Sequence, residues 1–315
     1  MEAVPRLAQH VRDQLGRVIV GQHELKTQCL IVLLCEGHAL LEGVPGIAKT
    51  LTVKVLARLL GLQFQRVQCT SDLMPADIVG TNVASLSTGT FQLHKGPAFT
   101  DLLLVDEVNR MPPRTQAALL ECMEERQITI DGVRHELSSL FTVFATQNPI
   151  DFEGTYPLPE AQLDRFLAKI RVPYPSSEEE TQLLINVQQG FDSRHLDALG
   201  VTAMPPAWLS DARQELGRVA VERSLFDYIV KLIRLTREWP ALALGASPRA
   251  AMSLTRFAKA VAALDGRDYV IPDDVKQAFL PVLRHRVIVK AEADLEGLTA
   301  DQSLDDVLKA VEVPK

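Results

Sequence analysis

Two rhythms of apolar and polar positions run through the first half of the chain, and only one through the second. Short β-rich runs recur at His38–Glu42, Gln63–Gln68, Leu102–Val105, Phe141–Thr146 and Lys169–Val172. Each is bounded by polar or turn residues, which predicts strands. Between them, apolar residues fall at three- and four-residue steps in Leu51–Leu60, stopped by Gly61, and in Pro113–Glu125, with proline in its first turn. These predict helices. Strand and helix in alternation predict an α/β fold, a parallel sheet with crossover helices. Two hairpins interrupt the alternation, one around Ser87-Thr-Gly-Thr90 and one over Gln127–Arg134, where Asp131-Gly132 is a strong tight-turn pair. The apolar run Cys29–Cys35 reads as a buried helix face, since a membrane span needs about 20 such residues.

After Pro175 the helical rhythm stands alone. Ser176 and Ser177 followed by Glu178, Glu179 and Glu180 open a helix, with Ser177 and Glu180 at capping-box spacing. Leu225–Glu238, Pro248–Leu264 and Asp273–Leu283 repeat the helical spacing. The expected organisation is an α/β unit over residues 1–190 followed by an all-α unit over 191–315. Phe191–Pro206 is the expected connecting loop, and the stretch beyond about 295 is expected to lie on the surface as a tail.

Composition narrows the function. Of 315 residues 47% are hydrophobic and 23% charged, with a formal net charge of −7, so the chain can bury a core but is poorly suited to wrapping nucleic acid by bulk charge. Aromatic residues are only 5%, and no basic stripe interleaves with them as a single-strand groove requires. Cys29, Cys35, Cys69 and Cys122 form no CxxC pair, which predicts reduced core thiols and a cytoplasmic protein. The first residues, Met1–Gln14, carry charges and proline where a signal core would be apolar.

The chemistry concentrates in three places. Gly43-Val-Pro-Gly-Ile-Ala-Lys-Thr50 follows the first predicted strand and opens a helix at Leu51. Backbone N–H groups at such a helix start converge on an anion, so Gly43, Val44, Pro45, Gly46, Ile47, Ala48, Lys49, Thr50 and Leu51 are candidates to cradle the phosphates of ATP. Lys49 would reach the β- and γ-phosphates, and the Thr50 hydroxyl would ligate Mg²⁺. Ala48 replaces the last glycine of the general G-x-x-x-x-G-K-[ST] pattern, which is tolerable if that residue has helical dihedrals. The plainer alternative is a glycine-containing turn with a surface lysine. Next, Leu102-Leu-Leu-Val-Asp-Glu107 ends in two carboxylates 57 residues after Lys49. A buried strand there would bring Asp106 to the outer coordination sphere of Mg²⁺ and leave Glu107 to take a proton from attacking water. Finally, Phe141–Thr146 runs into Gln147-Asn148-Pro149, where Asn148 either holds that water or caps a turn before proline.

Together these residues look like a AAA+ ATPase, and their wording resembles the MoxR family. The matching strings are Gly43–Thr50, Asp106-Glu-Val-Asn-Arg110, Ala145-Thr-Gln-Asn-Pro149, Glu153–Phe166 and Gly245-Ala-Ser-Pro-Arg-Ala250. They cover nearly the whole chain, Glu153–Phe166 most specifically, and the family's own variant of the phosphate loop carries Ala48. The two hairpins fall where that clade carries extra insertions. The resemblance implies that Val20 and Gly21 contact adenine and that Arg165 is an arginine finger reaching a neighbouring subunit's nucleotide. An intramolecular pair with a nearby acid is the alternative for Arg165, and Arg110 and Arg114 stay open as the trans contact. It also implies that Arg249 touches the γ-phosphate from the lid. Arg249 has independent support: with Ser247 as N-cap and Pro248 first in the helix, a cation in the first turn opposes the helix dipole unless an anion is near. Arg284-His285-Arg286 reads as dipole and solvation chemistry at a helix end, and His94 and Lys95 as a solvated hairpin. The implied function is an ATP-hydrolysing ring, a hexamer by resemblance, remodelling client proteins or inserting metal cofactors with a partner carrying a von Willebrand factor A domain. A metal-chelatase ATPase subunit, a nucleic-acid motor and a non-hydrolysing nucleotide-gated scaffold are the rivals.

Overall fold

The computed structural model describes residues 1–85, 90–149, 154–193, 195–196 and 200–314. Its strands are β1 (Ala39–Glu42), β2 (Phe64–Gln68), β3 (Gly80–Ser85), β4 (Thr90–Lys95), β5 (Leu102–Asp106), β6 (Gln127–Ile130), β7 (Val133–Glu136), β8 (Thr142–Gln147), β9 (Ala168–Arg171), β10 (Leu242–Leu244) and β11 (Ile288–Val289). Among the described residues, the sheet that organises the fold has the order β2-β5-β8-β1-β9 with every pairing parallel. These are the five expected strands, each within one residue at either end. A parallel sheet is covered on both faces, so its central strands read as unbroken apolar runs. In β5 the pleat sends Leu102 and Leu104 into one core and Leu103 and Val105 into another.

The first core carries α1 (Ala3–Gly16), α2 (His23–Leu34) and α3 (Lys49–Leu59), and the second α4 (Pro75–Val79) and α5 (Pro113–Glu125). The short helix α6 (Glu160–Leu163) precedes β9. Beyond the sheet follow α7 (Ser177–Gln188), α8 (Ala207–Gly217), α9 (Arg223–Glu238), α10 (Pro248–Leu264), α11 (Pro272–Leu283), α12 (Ala291–Leu295) and α13 (Ala300–Ala310), with β10 and β11 paired between them. No described helix is long and apolar enough to cross a membrane.

Both hairpins form. β3 pairs with β4, although Ser87, Thr88 and Gly89 of the expected turn lie outside the described residues. In β6–β7 the turn residues Asp131 and Gly132 have φ of 49° and 79°, the pair of positive values that a two-residue hairpin demands. Asn82 on β3 donates to Asp131 at 2.8 Å and ties the hairpins together.

Three expectations are corrected. The capping box on α7 is Ser176 with Glu179, one residue earlier than expected; the Ser176 hydroxyl accepts from the Glu179 N–H at 3.3 Å and the Glu179 carboxylate accepts from the Ser176 N–H at 2.8 Å. The end of the chain is structural instead of a surface tail: Ser303, Leu304 and Val307 of α13 are buried, and Asp301 pairs with Arg171 at 2.8 Å and Arg284 at 3.2 Å. His285 and Arg286, expected to be solvated, are buried. Arg286 binds the Asp164 carboxylate at 2.7 Å and the Phe166 carbonyl at 2.8 Å, fastening the end of α11 to the segment before β9. Burial holds its guanidinium down to about 10, against the pull of Asp164.

The helical part and the sheet share one continuous apolar core. The first helix is fastened at its N-terminus: the Glu215 carboxylate of α8 accepts from the N–H groups of Ala3 and Val4 at 2.5 and 3.2 Å. On the same helix, Arg6 lies 4.5 Å over the Trp208 ring. All four cysteines are buried and unpaired, as expected of core thiols.

Candidate active site

The loop between β1 and α3 is shaped by two glycines. A Cβ on Gly43 would lie 2.7 Å from the Val172 carbonyl, so only glycine lets the loop leave β1 against the end of β9. Gly46 has φ +85°, a region open to glycine. Ala48 then adopts φ 64°, ψ 15°, so the expected helical dihedrals are not what the chain uses. Left-handed alanine costs about 1–2 kcal/mol, and it turns the backbone into α3, whose first residues Lys49, Thr50 and Leu51 line a cavity.

That cavity, about 320 Å³, is lined by Lys49, Thr50, Asp106, Glu107 and Asn148 among others. Three adjacent parallel strands bring these residues together. Thr146 on β8 is the hinge of the arrangement: its hydroxyl donates to Asp106 at 3.0 Å and accepts from the Glu107 N–H at 2.9 Å. The Thr50 hydroxyl lies 3.3 and 3.4 Å from the two Asp106 oxygens. Lys49 is buried and donates to the Gly43 carbonyl. Burial lowers its pKa, while Asp106, Glu107 and Glu42 pull it back up. Glu107 has φ 59°, ψ 52°, a second non-glycine residue in the left-handed region, and pairs with Arg110 at 2.9 Å.

Three cavity residues, Arg66, Gln68 and Thr146, escaped the sequence reading. Thr146 stood within the matched string Ala145–Pro149 without a role; the register that sets Ala145 beside Val105 would have placed it next to Asp106. Arg66 on β2 donates to Asp106 at 2.6 Å and to the Gln68 side chain at 2.8 Å. Its signal was the two-residue spacing of Arg66 and Gln68, which puts both on one face of β2.

The remaining candidates lie apart from that cavity. Val20 and Gly21 do not line it; Gly21, with φ +60°, faces the Glu179 carboxylate. Arg165 and Arg249 do not line it either, and both bind Glu124 on α5, Arg249 at 2.9 Å. Ser247 caps α10 as expected, accepting from the Ala250 N–H at 3.3 Å, and its hydroxyl donates to Asp164 at 3.0 Å. Arg114 is exposed on the first turn of α5.

The donor set fits a nucleotide with Mg²⁺. Among the described residues no three His, Cys, Asp or Glu side chains gather as metal ligands. One hydroxyl and one carboxylate beside a helix start are what Mg²⁺ uses when phosphate oxygens and waters complete its shell.

Comparison with known proteins agrees. Residues 38–168 match the model of the ATPase family associated with various cellular activities (AAA), and residues 234–307 match that of the AAA lid domain. The Bacillus subtilis protein YeaC, uncharacterised, is 41% identical over 302 residues, covering 96% of this chain and 93% of its own. The chaperone MoxR1 of Mycobacterium tuberculosis is 41% identical over 318 residues, covering 96% and 81%. A crystal structure of a Cytophaga hutchinsonii protein, provisionally assigned as an ATPase, superposes with a TM-score of 0.90 at 40% identity over 99% of this chain and 96% of that one. Sheet order, phosphate loop, paired carboxylates and lid converge with these likenesses on one conclusion: the chain belongs to the MoxR family of AAA+ ATPases.

Proposed function

We propose that this chain hydrolyses ATP to ADP and phosphate in a ring of like subunits, a hexamer by family resemblance, and spends the cycle on remodelling client proteins in the cytoplasm. The observation that carries the reading is the cluster in which Thr146 holds Asp106 and Glu107 across from Lys49 and Thr50. A site built only to hold nucleotide needs neither a fixed carboxylate pair nor Asn148 beside it.

In this reading Val20 and Gly21 contact adenine, and the backbone from Gly43 to Leu51 cradles the phosphates. Lys49 neutralises charge at the β- and γ-phosphates. Thr50 and Asp106 would hold Mg²⁺, which when bound offsets phosphate charge and orients the chain of phosphates. Glu107 orients a water and takes its proton, and Asn148 aligns that water from the tip of β8. Thr146 holds the Asp106 carboxylate and the Glu107 backbone N–H together, so its hydroxyl is a positioning group. The pairing of Arg165 and Arg249 on one carboxylate away from the chain's own cavity supports assigning both to the nucleotide of a neighbouring subunit. A relative named as a chaperone supports client remodelling. Maturation or metal-cofactor insertion with a von Willebrand factor A partner is the form of remodelling that the family resemblance favours.

Steady-state hydrolysis of Mg-ATP per subunit, measured across protein concentrations, tests the reading. Specific activity is expected to rise with concentration, and Glu107→Gln and Arg165→Ala are each expected to lose about a hundredfold or more. Concentration-independent turnover, or an active Glu107→Gln, overturns it.

A further inference from the structure

Glu124 stands where a carboxylate is unfavourable. It lies in the last turn of α5, whose carbonyl end is the negative end of the helix dipole. Arg249 has the mirror problem, a cation in the first turn of α10. The two misplaced charges meet, Arg249 donating to Glu124 at 2.9 Å, and Arg165 binds the other carboxylate oxygen. One carboxylate thus serves two guanidiniums and leaves the trio with a net positive charge. Its members are partly exposed, Glu124 at 35%, Arg165 at 28% and Arg249 at 45%, so the uncompensated charge faces outward.

Each member is also fixed from behind. The Met123 carbonyl, next to Glu124, accepts from His38 Nε2 at 3.0 Å. Its other neighbour but one, Arg126, donates to the Ser139 carbonyl at 3.1 Å. Arg165 sits between Asp164 and Phe166, both held by Arg286. Arg249 follows the Ser247 cap, itself bound to Asp164. Two guanidiniums this close repel, and burial together with Arg249 lowers the pKa of Arg165. Without a shared anion they would separate.

We propose that Glu124 is a positioning residue for the trans-acting arginines: it holds Arg165 and Arg249 as an aligned pair that presents to a neighbour's terminal phosphate and recaptures them when phosphate leaves. The proposal rests on the trans assignment of those arginines made above. Holding two donors in one geometry before the phosphate arrives is worth about tenfold or more in turnover.

The test uses the full chain as wild type, Glu124→Gln, Arg165→Ala, Arg249→Ala and Glu124→Gln/Arg165→Ala. Two readouts are taken: kcat in the assembled state, and the Kd of a fluorescent non-hydrolysable ATP analogue below and above the assembly concentration. Glu124→Gln is isosteric and is expected to keep the dilute Kd, lose about tenfold in kcat, and lose part of the affinity gained on assembly. Added to Arg165→Ala it is expected to change the assembled Kd less than it does in the wild type, since the pair it aligns is already broken. Wild-type kcat in Glu124→Gln, a weakened dilute Kd, or a fully additive effect with Arg165→Ala overturns the proposal. If Arg165→Ala and Arg249→Ala themselves leave turnover and assembled Kd unchanged, the trans assignment is what has failed.

Discussion

Ala48 and Glu107 hold positive φ on either side of the cavity, and neither is glycine. Strain of this kind persists only where the surroundings over-determine the backbone. Ala48→Gly removes about 1–2 kcal/mol of left-handed strain and costs about 0.4–1 kcal/mol by loosening the unfolded chain. The strain term wins, so a gain of roughly 0.5–1 kcal/mol is expected in chemical denaturation, and a β-branched Ala48→Val is expected to lose stability. At the same scale, His38 accepts from the Val143 N–H through Nδ1 at 2.9 Å and donates from Nε2 to Met123. That leaves no room for a second proton, and burial holds its pKa down to about 4. His285 likewise donates to the Phe166 carbonyl and is held well below the usual range by burial. The unfolded chain protonates both near pH 6.5, so it binds more protons than the fold. Their contribution is complete above that pH and falls by about 1.4 kcal/mol per unit for each histidine as pH drops below it. Denaturation at pH 7.5 and pH 5 is expected to show the loss, and His38→Gln to show a smaller difference. The sequence told where Lys49, Asp106, Glu107 and Asn148 would converge, because strand tips in a parallel sheet share one edge. It was silent on Thr146 and Arg66, whose roles depend on register between strands far apart in the chain.

Elements with strong periodicity were legible to within two residues, and the places that slipped have local causes. Pro175-Ser-Ser-Glu-Glu-Glu180 offers two serines and three glutamates in tandem, so capping spacing is met twice and Pro173, which accepts from Gln22 at 3.1 Å, helps fix the frame. Arg284-His285-Arg286 looked like an ordinary basic helix end because its partners, Asp164, Phe166 and Asp301, come from elsewhere in the chain. Arg286 makes the junction between α11 and the Asp164–Phe166 segment a buried, multiply bonded one. Arg286→Ala leaves the Asp164 carboxylate without its ion-pair partner and is expected to cost about 3–5 kcal/mol. Arg286→Lys is expected to recover little, since one ammonium cannot replace a planar fork contacting six acceptors. Thermal or urea unfolding checks both.

For the whole molecule, the sheet, the first helix and the lid share a core, so any lid movement in the proposed ATP cycle would have to be carried by small shifts within a packed body as well as by hinging. Fold and family were legible because motif order, sheet rhythm and a helical second half all agree; the Glu124 trio was not, since it joins three segments that only the folded chain brings together. The buried thiols give that body an unplanned use. Cys29 and Cys35 lie in the core on one side of the sheet, and Cys69 and Cys122 in the core on the other. Burial raises the pKa of every one, to about 12 for Cys35, Cys69 and Cys122, which cuts the thiolate fraction at neutral pH by about a thousandfold. The native chain is therefore expected to resist maleimide, and a cysteine added at exposed Met252 (62%) to be the single fast-reacting position. When the native thiols do react, mass spectrometry will count how many modify at once: four together means that both faces of the sheet open in a single event, and two before two means that one face peels away first.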